Sequence, residues 1–269
     1  MDKNVKDFNI RLRTIKLREL AIGVIITFIV TGILILIFPE IGESNSVFFN
    51  IICVIGGLLF LFALRGTTGI DKNIKSLLEK NTRKEAIYVF IINFLAASAF
   101  ACIISLIDIY IGYYDPSWIS VWDVDSANMT PALFIIDTIG TIILAPIIEE
   151  LVFRGVLFNR LKIRTGIIPA MIISSIVFAM GHEFGGITSA FLFGICMCIL
   201  YLKTDNILIP MFIHFLNNIL ATIFEITQID LILSQIPLII PFTIISVVGA
   251  VFLIIYIIRE VKKLKTEYS

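Results

Sequence analysis

Every lysine and arginine of this chain but Arg154, which stands just inside the end of one run, falls in alternate intervals between long apolar runs, and that distribution restricts the fold more than any other feature. The runs cover about residues 20–38, 47–64, 87–110, 133–158, 166–184, 187–202, 206–224 and 234–258. A helix needs roughly 20 mostly apolar residues to cross a hydrocarbon core. The cations lie between Lys3 and Arg18, between Arg65 and Lys84, between Arg154 and Arg164, at Lys203, and between Arg259 and Lys265. The intervals 39–46, 111–132, 185–186 and 225–233 hold none. Because Lys and Arg accumulate in cytoplasmic connections, the alternation predicts eight transmembrane helices with both termini cytoplasmic. Moving the count by one helix would scramble the pattern. The expected fold class is an all-α polytopic membrane protein, a single membrane domain over 1–269.

Composition agrees. Hydrophobic residues make up 58% of the chain and charged residues 16%, against roughly 45–50% and 25% in soluble domains. An ordinary soluble enzyme, a disordered chain and a nucleic-acid binder are excluded as function classes. The four cysteines, Cys53, Cys102, Cys196 and Cys198, sit inside apolar runs, which suits core packing rather than a disulfide framework or a zinc ribbon. The first apolar run follows a charged segment of eighteen residues and has no small-residue cleavage site, so it reads as a span and not a removed signal. Tyr113, Tyr114, Trp118 and Trp122 in the outer connection suggest an interfacial aromatic belt. The charged 65–86 connection is expected to be helical and solvated.

Ionisable groups inside a bilayer are costly and mark function by default. Here they are few. Both histidines of the chain, His182 and His214, fall inside predicted spans, with Glu149 and Glu150 in the fourth and Asn217 and Asn218 in the seventh. Glu150 and Arg154 stand at i and i+4 in the favourable acid-first order, so Glu150 is the natural counter-ion of a buried Arg154. Glu149 points about 100° away and is left for chemistry. Phe178 and His182 share the same spacing, which sets a ring beside an imidazole. His214 and Asn218 repeat it, an arrangement like the donors that stabilise an oxyanion. Three other intramembrane chemistries fail on their motifs. The GITSAFLFG segment around Ser189 lacks a Gly-x-Ser-Gly nucleophile, His182-Glu183 lacks the second His of His-Glu-x-x-His, and Asp71 lacks a Gly-x-Gly-Asp context.

Glu149-Glu150-x-x-x-Arg154, Phe178-x-x-x-His182 and His214-x-x-x-Asn218, in that order, resemble the three motifs of the CPBP family of intramembrane proteases (Abi, or type II CAAX prenyl endopeptidases). The resemblance covers about residues 130–225, the expected catalytic core. It implies an eight-helix endopeptidase of the glutamate type. In it Glu149 activates the attacking water with His182, His214 and Asn218 stabilise the oxyanion, and Glu150 and Arg154 hold the site together beside Phe178. It also implies a peptide, prenylated or membrane-associated protein as substrate, and a bacterial cell membrane as location. The expectation is no cofactor; the competing version is a zinc enzyme with Glu149, His182 and His214 as ligands in an open three-ligand site.

Two other functions fit a chain of this class. One is a non-catalytic membrane regulator or immunity protein that binds a partner, which would be expected to lose motif residues. The other is a transporter using its carboxylates as a proton relay, which would carry repeated broken helices; none is visible. One tension stands. At 1.5 Å per residue, Glu149 lies about 16 Å from Arg160, while His182 lies about 27 Å from Arg164. Tilt or a late start of the fifth helix must bring them together.

Overall fold

The structure is a computed structural model that describes residues 1–2, 4–111, 130–182, 186–235 and 237–268. The expected aromatic belt and Gly185 of the predicted tight turn lie outside the described residues. The fold is all-α, 87% helical, and among the described residues the only β-type pairing is an isolated bridge between Asp7 and Thr68. The principal helices are α1 (Phe8–Thr14), α2 (Leu17–Ile37), α3 (Asn45–Ala63), α4 (Ile70–Leu78), α5 (Lys80–Ile111), α6 (Pro131–Thr165), α7 (Ile167–Ala179), α8 (Ile187–Thr204), α9 (Leu208–Thr227) and α10 (Ile239–Tyr268).

Seven of these, α2, α3, α5, α6, α8, α9 and α10, are long and apolar enough to cross a membrane. The fifth expected span is α7, which has 13 residues and a length of about 20 Å, well short of a roughly 30 Å core. Helix length therefore does not establish the count of eight. The apolar run continues beyond Ala179, but the helix does not. Gly181 N–H donates to Phe178 O at 3.2 Å and His182 N–H to Ala179 O at 3.0 Å, three-residue bonds that tighten the last turn and end it. Gly166, at φ 86°, makes the other break, between α6 and α7. A left-handed residue there costs glycine nothing.

The helices face their surroundings in the sense expected for lipid. In α2 the only buried residues are Thr27 and Thr31, while Ile25, Phe28 and Leu36 are exposed. Hydrocarbon tails give large apolar side chains nothing to escape from, so small and polar groups line the helix contacts. The Thr27 hydroxyl satisfies itself on Gly23 O at 2.9 Å. The opposite case is α8, where Ile195, Cys196, Met197, Cys198, Ile199, Leu200 and Tyr201 are consecutive and all buried. A helix apolar on every side belongs in the middle of a bundle, and α8 is that centre. Gly194 lets α7 approach it closely: a Cβ there would stand 2.9 Å from Ser175 Cβ.

At the basic end, α1 packs under α6. Leu12 is fully buried, and a Cβ on Gly155 would come within 2.7 Å of its side chain. Arg160 Nε donates to Ile15 O at 2.6 Å, and Arg13 reaches Asp205 and the Tyr201 hydroxyl. The 65–86 connection is helical as expected, in α4, and Asn73 on it bonds Asn9 and Asn206.

Candidate active site

The candidate residues come from α6, α9 and the end of α7, and the irregularity of α6 sets their directions. This helix is α-helical over Pro131–Ile139, π-helical over Gly140–Leu144, α-helical over Ala145–Glu150, π-helical over Leu151–Phe158 and α-helical again over Asn159–Thr165. Glu149 and Glu150 thus occupy a short α-helical island between two widened segments. Widened i→i+5 turns are rare and recur at functional sites. They also leave backbone carbonyls in need of donors, because a buried carbonyl without one is costly.

Here other side chains supply the donors. Pro146 has no N–H to return to the preceding turn, and Asn218 Nδ2 donates to Thr141 O at 2.7 Å. Ser174 Oγ donates to Phe153 O at 3.0 Å. Asn159 Nδ2 lies 2.9 Å from both Arg154 O and Gly155 O. Asn218 is expected in the site from the sequence, but not as a donor to Thr141 O, and Ser174 and Asn159 are not among the residues that the sequence points to. A regular helix was expected through residues 133–158, and only Pro146 hinted at a break.

Glu150 and Arg154 form the expected pair, with Arg154 Nη1 donating to Glu150 Oε1 at 2.9 Å and both side chains buried. The guanidinium carbon also stands 4.3 Å above the Phe178 ring, a favourable cation–π placement. Glu150 does more than the sequence suggested, since its Oε1 also lies 3.0 Å from His214 Nδ1. The other ring nitrogen, Nε2, faces Glu149 Oε2 at 3.7 Å. His214 is thus held between the two adjacent acids. No spacing rule could have indicated this, since 64 residues separate Glu150 from His214. Glu149 keeps 22% of its side-chain surface exposed and Glu150 none, which separates an accessible acid from a sealed one.

Phe178 is the hub of the site. Its ring centroid lies 4.7 Å from that of His182, 5.8 Å from that of His214 and 5.3 Å from that of Phe153. Phe193, missed in the sequence, packs edge-on to His214 at 5.0 Å. His182 stands three residues past the end of α7 and not within a span. Its Nδ1 lies 3.1 Å from Phe178 O, so the ring donates there and leaves Nε2 free. The helix starts where it was expected to, so the depth tension is not relieved by a late start. The turn after Ala179 leaves the His182 ring tilted against Phe178, the ring that also touches His214. Asn218 shares a face of α9 with His214.

Both histidines thus turn Nδ1 to an oxygen and keep Nε2 for another partner, which in His214 is Glu149, an orientation that serves a proton-transfer role or metal ligation. Among the described residues, no three His, Cys, Asp or Glu side chains come together as a metal site. As arranged, Glu149, His182 and His214 do not fit a zinc ion.

Residues 131–220 match the family model described as Type II CAAX prenyl endopeptidase Rce1-like. Every motif residue discussed above lies in that segment. Over 112 residues the chain is 28% identical to YdiL of Bacillus subtilis (strain 168), named as a membrane peptidase, covering 41% of this chain and 44% of that protein. Over 90 residues it is 37% identical to the membrane-embedded CAAX protease MroQ of Staphylococcus aureus (strain USA300), covering 31% of this chain and 36% of that protein. The matches thus span less than half the length of these curated relatives. No solved structure matches the chain.

Proposed function

We propose that this protein, a multi-pass membrane protein related to CAAX-type membrane proteases, is an intramembrane endopeptidase in which Glu149 activates the attacking water. The observation that carries the proposal is His214 held between Glu150 and Glu149, at 3.0 and 3.7 Å. Its Nδ1–H is committed to Glu150, so Nε2 bears a proton only when the ring is imidazolium. In that state the charges of Glu149, Glu150, Arg154 and His214 cancel. Burying charge is cheapest when it is fully paired.

The reaction follows from that arrangement. Glu149, the partly accessible acid, takes a proton from water, assisted by the free Nε2 of His182, and the hydroxide oxygen bonds to the scissile carbonyl carbon. The carbonyl oxygen becomes an oxyanion as Glu149 becomes neutral. The imidazolium Nε2–H of His214 and the amide of Asn218 stabilise that charge, the usual role of preorganised donors. As the C–N bond breaks, Glu149 returns its proton to the leaving amine, giving a carboxylic acid and an amine with one water consumed and the Glu149 carboxylate restored. Glu150 is a positioning residue, orienting His214 and neutralising Arg154. No step is routed through a metal. The substrate class is a peptide, lipid-modified or membrane-associated protein segment, and both termini face the cytoplasm.

The test is Glu149→Gln, which keeps shape and removes the base. Abolished proteolysis with normal expression and insertion is expected, with uncleaved substrate peptides accumulating in cells that carry Glu149→Ala. Activity within about threefold of wild type would remove Glu149 from the mechanism, since a positioned base contributes about 10²–10⁴-fold. Absence of proteolysis in the wild-type protein itself would favour the partner-binding alternative.

A further inference from the structure

We infer that the ends of α5, α8 and α10 form a binding site for the phosphate group of an anionic phospholipid. The site is separate from the candidate active site and does not depend on the proposed activity. A cavity of about 340 Å³ opens there, lined by side chains of all three helices. Its floor is polar and interlocked. Glu260 is buried to 2% exposure and receives Lys203 Nζ at 3.0 Å, Arg259 Nε at 3.0 Å and Lys263 Nζ at 2.9 Å. Lys203 also reaches Glu85, which accepts from the Tyr256 hydroxyl at 2.9 Å.

The charge of this cluster does not close. Four cations, Lys84, Lys203, Arg259 and Lys263, line the cavity against two acids, Glu85 and Glu260, an excess of two positive charges. The excess faces outward. Arg259 and Lys263 keep 59% and 56% of their side-chain surface exposed. Arg259, whose guanidinium carbon lies 5.9 Å from the Tyr256 ring centroid, gives Glu260 only its Nε–H, so its forked Nη groups remain for a phosphate. Lys84 makes no hydrogen bond or ion pair among the described residues. Lys84 and Tyr88 on α5 stand at i and i+4, as do Arg259 and Lys263 on α10, so each pair presents one face. Planar guanidinium forks and ammonium groups suit phosphate oxygens.

The neighbouring surface favours a lipid as the source of that phosphate. On the same two helices, within two turns of the cations, Ile87 and Ile91 on α5 and Ile255 and Ile258 on α10 are exposed and offer apolar surface for acyl chains. Tyr88, exposed on α5 and packed edge-on against the buried Tyr256 with ring centroids 6.1 Å apart, marks the boundary, as amphipathic rings do at the headgroup level. Basic pockets between membrane helices bind anionic headgroups for this reason.

The experiment uses the full chain purified in detergent, stripped of lipid, and titrated with phosphatidylglycerol, phosphatidylcholine or inorganic phosphate. Bound lipid is counted by native mass spectrometry. Saturable phosphatidylglycerol binding is expected, with weaker phosphatidylcholine binding and no competition from millimolar inorganic phosphate. The triple variant Lys84→Gln, Arg259→Gln, Lys263→Gln lowers phosphatidylglycerol affinity about fivefold for each removed charge, roughly a hundredfold in all. Lys84→Gln alone breaks no described contact, so it tests the proposal even if the triple variant fails to fold, and should cost about fivefold. Unchanged phosphatidylglycerol affinity in Lys84→Gln and the triple variant would overturn the proposal, as would equal binding of phosphatidylcholine. Displacement by inorganic phosphate would overturn the lipid source and assign the site to free phosphate.

Discussion

Exchanging each of the two adjacent acids for its amide should produce opposite failures. Glu150 has no exposed side-chain surface and holds two charged or polarised partners on one oxygen, Arg154 at 2.9 Å and His214 at 3.0 Å. Glu150 is the only carboxylate that pairs with Arg154 among the described residues, and Arg154 Nε and Nη2 make no hydrogen bond there. Glu150→Gln therefore leaves a buried guanidinium uncompensated, which typically costs 3–5 kcal/mol, a large share of the roughly 5–15 kcal/mol that holds a folded domain together. Glu149 is partly exposed, and its His214 contact at 3.7 Å is too long for a hydrogen bond. Glu149→Gln should cost about 1 kcal/mol or less and remove activity instead. Unfolding of both variants in detergent, followed by circular dichroism as sodium dodecyl sulfate is added, measures the contrast. A stable but inactive Glu150→Gln beside a destabilised Glu149→Gln would show that the two roles are reversed.

Asn218→Ala and His214→Ala should each lower kcat about 10²–10³-fold as oxyanion donors are lost, and steady-state kinetics of the double variant should give less than the product, because the donors serve one charge. Phe178→Ala should cost about 3–5 kcal/mol, read in the same denaturation assay. Gly155→Ala drives a methyl into Leu12 and should destabilise by about 1–3 kcal/mol; adding Leu12→Ala should restore part of that loss, and no restoration would deny that contact. Purified enzyme should be active without bound metal, checked by metal analysis and dialysis against a chelator. Zinc lost and regained together with activity would reject this. Cysteines introduced at positions 43 and 228 should label from one side of the membrane, and those at 75, 162 and 265 from the other. Labelling of 162 from the same side as 43 would refute the topology.

The parts of this molecule that were legible beforehand are those governed by local rules. Spans follow from runs of apolar residues, and Glu150–Arg154 and Phe178–His182 follow from helical spacing. The failures share a cause, which is departure from the regular α-helix. His182 was assigned to a span because the apolar run passes through Met180, but the turn at Gly181 ends the helix first. The partners of Thr141, Phe153 and Arg154 were invisible because a regular ladder leaves those carbonyls no need of side-chain donors. The contact of Glu150 with His214 joins α6 to α9, and only the bundle's packing brings them together.

The two widened segments of α6 also act as phase shifters. Each π-helical interval inserts a surplus residue into a ladder that otherwise turns about 100° per residue, so the helix faces before, at and after Glu149-Glu150 are set independently. Deleting one residue from Leu151–Phe158 would let the ladder relax to ordinary winding at little local cost. The segment beyond it, with the Arg160 contact on Ile15, would keep its orientation to the two acids, because the surplus residue is what the widening absorbs. A deletion from the regular stretch Ala145–Glu150 would instead turn everything beyond it by about 100°. Length changes in that regular stretch are therefore more damaging than most substitutions in it. A relative that carried such a deletion would be expected to restore the phase with an insertion nearby.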